Sequence, residues 1–279
     1  MIVRDRIFDR RMQYQTYIPH PLLQRYVKCY WSLDMAAVPG ASKERVFPDG
    51  CTELIFHYGD LFRKYTGDLA FLQPRSFIHG QISSYIELEA SGRTGMFSIR
   101  FQPGGLRMFT PVGMTSITDG HIRIDDIWGK EGDEFEDRIL NAASQKERTM
   151  LADDFLLRQL GVNDEDRMVN HCIGIITSFN GNAGIEQLAA QLHIGRRQLE
   201  KRFISTVGLS PKLFSRITRF RHTLTQLEQQ QFSHLTSLAY EAGFFDQAHF
   251  IRDFRHFTGL TPREYFSVNL AMAKNLGQE

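Results

Sequence analysis

The stretch that decides the fold runs from Ile185 to Phe214 and reads IEQLAAQLHIGRRQLEKRFISTVGLSPKLF. Two short segments, each with apolar residues at helical spacing, flank a tight turn at residues 193–195. Ala189 is a small residue on the apolar face of the first segment, which allows the two helices to approach closely. The pattern predicts a helix-turn-helix unit whose second helix lies in the major groove of DNA.

The second predicted helix carries its basic residues off the apolar stripe of Leu199, Phe203 and Val207. Between Arg196 and Arg221 there are eight basic residues and a single acid, whereas the whole chain has a net charge of only +1. This local concentration predicts contacts with the groove and with phosphates. For such a run taken alone, a solvated basic face would be the simpler interpretation.

A repeat disfavours that simpler interpretation. The segment 203–211, FISTVGLSP, is echoed by the segment 254–262, FRHFTGLTP. The preceding helices also match, residues 188–189 with 238–239, if one extra residue is allowed in the second turn. A repeat of this kind implies that one supersecondary unit is used twice.

The second copy carries a family resemblance. Residues 243–265, GFFDQAHFIRDFRHFTGLTPREY, resemble the second helix-turn-helix signature of the AraC/XylS family of bacterial transcription regulators. Ala248 is the visible departure, since the family usually has serine there. The resemblance covers roughly the last 110 residues. It implies a helical DNA-binding domain with two helix-turn-helix units joined by a linking helix, and double-stranded DNA as the partner.

The resemblance also identifies candidate DNA contacts on both units and on the linking helix. They are Arg196, Arg197, Glu200, Lys201, Arg202, Arg219, Gln247, His249 and Arg252. Arg197 suits guanine, because a guanidinium reaches O6 and N7 together, and Gln247 suits adenine. Arg219 is expected to contact phosphate. Glu200 either accepts a hydrogen bond from cytosine N4 or tempers the neighbouring positive charge.

Other residues of the second unit have different expected roles. Asp246 is expected to cap the recognition helix. Asp253 is expected beside the groove, where it would repel phosphate and weaken binding by this unit. The aromatic residues at core spacing are Phe244, Phe250, Phe254 and Phe257.

The first half of the chain is rich in strand-forming segments. Residues 52–58, 76–81, 85–90 and 96–101 are separated by glycines and predict a small barrel or sandwich. The segment from Pro21 to Trp31 predicts a helix, because aromatic and apolar residues recur there at every fourth position. Residues 45–50 and 101–105 resemble the amino-terminal domain of a subset of these regulators, a domain with no established chemistry.

The predicted fold class is therefore α+β with two domains. We expect a β-rich sensor, effector or partner domain at residues 1–125, linking or dimerising helices at 126–163, and the AraC-type DNA-binding domain at 164–279. Ser210 and Pro211 are expected to begin a linking helix that extends to about Gln229. Leu151 and Phe155 are the candidate dimer contacts.

The β-rich domain is dense in aromatic residues, and a small barrel often leaves an apolar cavity at its mouth. Arg45, Glu53, His57 and Arg100 lie on or beside predicted strands and are candidates for the polar contacts of a small, partly apolar effector. The alternative is that these four residues pair with one another or face solvent. Two further partners are possible, RNA polymerase and a second copy of the chain. The domain could also bind no small molecule at all.

Other function classes have little support in the sequence. The histidines and cysteines considered as ligands are dispersed, without His-x-His, His-Glu-x-x-His or Cys-x-x-Cys spacing: His57, His79, His121, Cys29, Cys51 and Cys172. We therefore predict no metal, no cofactor and, without a nucleophile elbow or P-loop, no enzyme. The chain lacks a signal peptide and a bilayer-spanning run, which predicts a cytoplasmic protein without membrane contact. A metal-binding, cupin-like barrel fused to a DNA-binding module is the alternative.

Overall fold

The computed structural model describes residues 12–37, 40, 43–163, 165–228, 235–265 and 267. Within these residues the amino-terminal domain has ten strands. They are β1 (Met12–Tyr17), β2 (Val27–Met35), β3 (Glu44–Val46), β4 (Glu53–His57), β5 (Phe62–Thr66), β6 (Leu69–Leu72), β7 (Ser76–His79), β8 (Ile86–Ala90), β9 (Thr94–Phe101) and β10 (His121–Arg123).

The strands form two antiparallel sheets, which confirms the predicted β-rich domain. One sheet has the order β1-β2-β9-β4-β7-β10, and the other has the order β3-β8-β5-β6. Large apolar side chains, among them Trp31, Phe77, Leu88 and Met96, form a core cluster that draws on both sheets. The sheets are open at their edges, so the domain is a sandwich rather than a closed barrel.

The helix predicted from Pro21 to Trp31 is wrong. Only Pro21–Leu23 forms a short 3-10 helix, and β2 follows at Val27. Because β2 is paired on both sides, by β1 and β9, and covered on both faces, Tyr30 and Trp31 are both buried although they point in opposite directions. A strand buried on both faces has no alternation of polar and apolar residues. Its apolar residues can then recur at every fourth position and imitate the spacing of a helix.

Two helices complete the core of this domain, α1 (Asp125–Asn141) and α2 (Gln145–Gln159). The ring of Phe155 stacks on that of Phe135 at 3.9 Å, and the hydroxyl of Tyr30 donates to Asp153 at 2.6 Å. Phe155 is 1% exposed. The prediction that Phe155 makes dimer contacts is therefore wrong, because its ring is already enclosed by its own domain.

The remaining helices form the carboxyl-terminal domain, as the sequence predicted. They are α3 (Arg167–Ser178), α4 (Ile185–Gln191), α5 (Arg196–Val207), α6 (Pro211–Glu228), α7 (Leu235–Glu241) and α8 (Gln247–Thr258). The four phenylalanines expected in the core of the second unit are all buried, which confirms that prediction. None of the helices described here or above is long and apolar enough to cross a membrane.

The linking helix α6 begins where its sequence predicts. The hydroxyl of Ser210 accepts a hydrogen bond from the amide of Leu213 at 3.2 Å, and Pro211 is the first helical residue. Its 18 described residues are about 27 Å long at ~1.5 Å per residue. The expected end at Gln229 lies outside the described residues.

Candidate nucleic-acid interface

The first recognition helix, α5, buries one face and exposes the other. Leu199 and Phe203 are buried, whereas Arg196, Arg197 and Lys201 are exposed. Arg196 is held by Glu200, with a nitrogen to oxygen distance of 3.1 Å, and by Glu186 at 2.9 Å. Glu200 thus tempers a neighbouring positive charge in the free protein, and Arg197 and Lys201 project from the same helix into solvent.

Arg202 has a partner inside the domain. Its guanidinium forms a two-pronged ion pair with Asp166, with distances of 2.8 and 2.9 Å. Asp166 also caps α3 by accepting from the amide of Val169 at 3.1 Å. Burial alone would raise the pKa of Asp166, but the hydrogen bonds from Arg202 and the Val169 amide outweigh burial and lower the pKa. Arg202 therefore ties α5 to the start of α3.

The second recognition helix, α8, exposes Gln247 and Arg252. Asp246 accepts a hydrogen bond from the amide of His249 at 2.6 Å, which confirms its predicted role as a helix cap. The ring of His249 packs edge-on against Phe244 at 5.4 Å and is only partly exposed. Gln247 and Arg252 are thus freer to reach DNA than His249.

Asp253 does not face the groove, so the prediction that it repels phosphate is wrong. It is 3% exposed and accepts two hydrogen bonds from Arg216, at 2.8 and 3.2 Å. Position 253 follows the buried Phe250 by three residues, which places both on the inner face of α8. The ion pair neutralises the carboxylate within the domain.

Two basic residues of α8 lie outside the set of contacts predicted from sequence. Arg255 and His256 are exposed, and they border a shallow surface groove together with Ala248, Ile251 and Arg252. The spacing could have indicated them, because Arg255 and His256 follow Arg252 by three and four residues and therefore lie beside it on the helix. The exposed face of α8 is thus more basic than the three predicted contacts suggested.

Arg219 of the linking helix is turned inward. Its guanidinium donates to the carbonyl of Gly181 at 3.0 Å and lies 5.3 Å above the ring of Phe244. Burial lowers the pKa of Arg219. Arg219 therefore joins the turn before the first helix-turn-helix unit to a core residue of the second.

The amino-terminal domain holds the carboxyl end of α5. The hydroxyl of Thr118 donates to the carbonyl of Gly208 at 2.8 Å. Gly208 ends α5 with a φ of 88°, and a Cβ on it would lie 2.9 Å from the Thr118 hydroxyl oxygen. Glycine is required here both by the left-handed backbone and by the closeness of the other domain.

The same domain also holds the carboxyl end of α8. Arg45 donates to the carbonyl of Thr258 at 3.1 Å, pairs with Glu87 at 3.0 Å, and lies 4.9 Å above the ring of Tyr85. Gly259, with a φ of 72°, ends α8 against Tyr85, where a Cβ would lie 2.6 Å from the ring. Each recognition helix is thus anchored at the end away from its first turn.

Phe47 is a further contact of the amino-terminal domain with the carboxyl-terminal domain. It lies in the loop after β3, yet it belongs to the core cluster of the carboxyl-terminal domain and is 2% exposed. Its ring lies 6.1 Å from Phe220 of α6 and 6.3 Å from Tyr265. The amino-terminal domain therefore contacts α5, α6 and α8.

The four candidate ligand contacts do not converge on one site. Arg45 lies at the domain interface, as described. Arg100 is 6% exposed, and it pairs with Asp49 and, at 3.0 Å, with Glu53. His57 is fully buried between the rings of Phe62 and Phe77, and burial lowers its pKa to about 4. Glu53 and Arg100 thus pair with each other, as the alternative interpretation expected.

A cleft of about 430 Å³ lies between the two domains. Lys28, Arg100 and Cys29 line it from the sheet, and Phe214 and Arg221 line it from α6. This volume falls within the range of ~300–1,000 Å³ that is usual for small-molecule sites. Among the residues that the structure describes, no group of three or more His, Cys, Asp or Glu side chains could hold a metal ion.

Comparison with known proteins divides the chain in the same way. Residues 15–123 match a domain of unknown function (DUF6597), and residues 188–267 match a helix-turn-helix domain of the AraC type. Uncharacterised HTH-type transcriptional regulators of Staphylococcus aureus, strains MSSA476 and MRSA252, are each 27% identical over 112 residues, which is 40% of this chain. The chain spans about 15% of the length of these curated relatives.

Two solved structures align with most of the chain at low sequence identity. ToxT from Vibrio cholerae matches with a TM-score of 0.48 and 10% identity, covering 91% of this chain and 97% of ToxT. Another ToxT structure is described as bound to an unsaturated fatty acid. The AraC-like transcriptional activator CuxR matches with a TM-score of 0.31 and 8% identity, covering 78% of this chain and 81% of CuxR.

Proposed function

We propose that the chain is a DNA-binding transcription regulator of the AraC/XylS type, and that one copy of it reads two adjacent major-groove segments. The first segment is read by α5 through Arg197 and Lys201, and the second by α8 through Gln247 and Arg252. Arg196 and Glu200 can exchange their mutual ion pair for contacts with DNA. Such a role places the protein in the compartment that holds the chromosome.

The observation that carries this proposal is the double anchoring of the recognition helices. Both helices expose their first turns, and both are held at their carboxyl ends by the amino-terminal domain, through Thr118 for α5 and Arg45 for α8. The linking helix is about 27 Å long at ~1.5 Å per residue, which is near the ~34 Å between successive major-groove faces. The domain interface thus controls whether both helices fit the duplex together.

Arg202 and Arg219 receive a different role in this proposal. Each is held by a partner within the domain, Asp166 and the carbonyl of Gly181 respectively. We assign them to the internal geometry of the DNA-binding domain. His249, which is partly covered by Phe244, has a secondary role in reading.

We place a small-molecule effector in the cleft between the domains. A molecule bound there touches the sheet through Arg100 and the linking helix through Phe214. It can therefore change how the domains dock and, with them, the orientation of α5 and α8. A second copy and RNA polymerase are the further partners that such a regulator would use. Since Phe155 is buried, a dimer would form through other residues.

Selection of DNA by the purified full chain tests the proposal. A random duplex library should yield one enriched sequence with two conserved segments. Arg197→Ala should relax the preference at one base pair. Arg158→Ala, which removes a half-exposed charge from α2 in the other domain, is the matched control and should leave the preference unchanged. The proposal fails if nothing is enriched, or if both variants lose affinity without any change in preference.

A further inference from the structure

A second, smaller cavity lies between the two sheets of the amino-terminal domain. Its volume is about 60 Å³. Apolar side chains, including Ile55, Leu88 and Met96, form much of its wall. Its polar lining includes Asp49 and Glu53, which are both paired with Arg100. Trp31, Gln73 and His79 also line it, and these three side chains decide what it can bind.

Each of the three polar side chains has an atom without a partner. Among the described residues, nothing hydrogen-bonds to Trp31 Nε1, Gln73 Oε1 or His79 Nε2. The three residues are only 2%, 6% and 8% exposed, respectively. A buried polar atom that lacks a hydrogen bond costs stability, so a cluster of three facing one cavity needs an explanation.

The hydrogen-bonding capacity of the three atoms can be assigned. The indole nitrogen of Trp31 is a donor, and Gln73 Oε1 is an acceptor. His79 Nδ1 lies 2.9 Å from the carbonyl of Gly80, so Nδ1 carries the proton. Burial lowers the pKa of His79 to about 4, which keeps the ring neutral and makes Nε2 an acceptor at neutral pH. The three atoms without a partner are therefore one donor and two acceptors.

This set matches a primary amide. An amide carbonyl accepts from Trp31, and the two N–H groups of the amide donate to Gln73 and His79. A carboxylate would leave both acceptors without a donor, and an ammonium would leave the indole N–H without an acceptor. On the same measure of volume a single water molecule needs ~10–15 Å³, so the cavity has room for a headgroup of a few heavy atoms.

The rest of such a ligand has a place outside the cavity. Asp49 and Cys51 line both the small cavity and the cleft between the domains, so the two spaces adjoin at these residues. Phe47 also lines the small cavity and packs on α6. A ligand that occupied both spaces would therefore lie beside a residue that docks the DNA-binding domain.

We propose that the small cavity binds the uncharged primary amide headgroup of an amphipathic ligand whose apolar body lies in the cleft between the domains. This inference rests on the proposed function only in so far as the bound ligand is to change DNA binding. The amide site itself can be tested without DNA. The bound ligand would contact residues 47–51 and could thereby change how the two domains dock.

The two tryptophans of the chain provide the test. Trp31 faces the cavity, whereas the indole of Trp128 already donates to the carbonyl of Phe109 at 3.0 Å and is the internal control. The full chain, labelled with nitrogen-15, is titrated with hexanamide, hexanoate and hexylamine, and the indole signals are assigned with Trp31→Phe. We expect hexanamide to shift the Trp31 signal and to leave the Trp128 signal in place. The charged analogues should shift neither.

A variant at each acceptor tests the assigned contacts. Gln73→Leu and His79→Leu should each weaken hexanamide binding about tenfold, which corresponds to one lost hydrogen bond. An unchanged Trp128 signal shows that a variant is folded. If one variant fails to fold, the other still tests the assigned contact. The inference is overturned if hexanamide leaves Trp31 unshifted at saturating concentration, or if hexanoate or hexylamine binds equally well. DNA selection by the same preparation reports separately on the proposed function.

Discussion

Phe47→Ala is the perturbation that bears most directly on how the two domains dock. Phe47 crosses from the loop after β3 into the core of the other domain, where it meets Phe220 and Tyr265. Removing the ring leaves Thr118 and Arg45 as the anchors of the recognition helices. We expect the two domains to stay folded and to dock less tightly.

The size of the effect follows from burial. Phenylalanine to alanine changes in protein cores cost ~3–5 kcal/mol. Phe47 is 2% exposed, but it also borders the small cavity between the sheets, so part of its surface already faces empty space. We therefore expect a loss near the lower end, about 3 kcal/mol. The loss falls on docking, since the other members of both cores are unchanged.

Urea unfolding followed by tryptophan fluorescence and by circular dichroism measures this loss. Both tryptophans lie in the amino-terminal domain, whereas circular dichroism also reports the helices of the other domain. In the unaltered chain the two signals should change together. In Phe47→Ala they should separate, with the helical signal lost at lower urea.

Phe71→Ala is the matched control, because this ring is 57% exposed on β6. A surface change of this kind is expected to alter the unfolding free energy by less than about 0.5 kcal/mol. The reasoning is refuted if Phe47→Ala behaves like Phe71→Ala. It is also refuted if Phe47→Ala unfolds in one transition that is merely shifted.

Three further predictions follow from the site and the buried histidines. Arg197→Ala should cost ~1–3 kcal/mol of DNA affinity and relax preference at one base pair, as measured by competition with base-substituted duplexes. Arg219→Ala should lower the unfolding free energy by ~1–3 kcal/mol and leave the salt dependence of DNA binding unchanged, because its hydrogen bond is internal; a decrease of about one unit in the salt slope would instead indicate a phosphate contact. His57 and His79 are held neutral, with pKa values lowered by burial to about 4, so the unfolded state takes up their protons first as the pH falls below about 6.5. Urea unfolding at pH 5 should therefore show a loss of about 2 kcal/mol per histidine relative to pH 7, whereas equal stability at the two pH values would contradict the burial.

The helical domain could be predicted from sequence because its pattern is local and repeated. The segments 203–211 and 254–262 show the same spacing twice, and the caps at Ser210 and Asp246 lie within three residues of the amides they bind. Signals of this kind need no knowledge of the tertiary structure. They located both recognition helices and the start of the linking helix.

The partners of the basic residues could not be predicted in the same way. Arg202 binds Asp166, 36 residues away, and Arg219 binds the carbonyl of Gly181, 38 residues away. In sequence both resemble any other basic residue beside a recognition helix. Only the packing of α3, α5 and α6 separates the arginines that hold the domain together from those that face solvent.

The same limit applies to the amino-terminal domain. Phe47 is one aromatic residue among many in the sequence, and nothing local to it indicates burial in the other domain. Arg100 was correctly placed on a strand, but its pairing with Asp49 and Glu53 depends on the register of β4 and β9. Sequence therefore predicted the class of this domain and not the contacts by which it holds α5 and α8.

The central claim is that one chain reads two adjacent major-groove segments with recognition helices whose orientation is fixed by the amino-terminal domain. The most direct measurement compares the affinity of the full chain for its selected site with that for the same site carrying about five extra base pairs, half a helical turn, between the two segments. Half a turn moves the second segment to the opposite face of the duplex. We predict that affinity falls to that of a site with only one segment. Unchanged affinity for the lengthened site would contradict the claim.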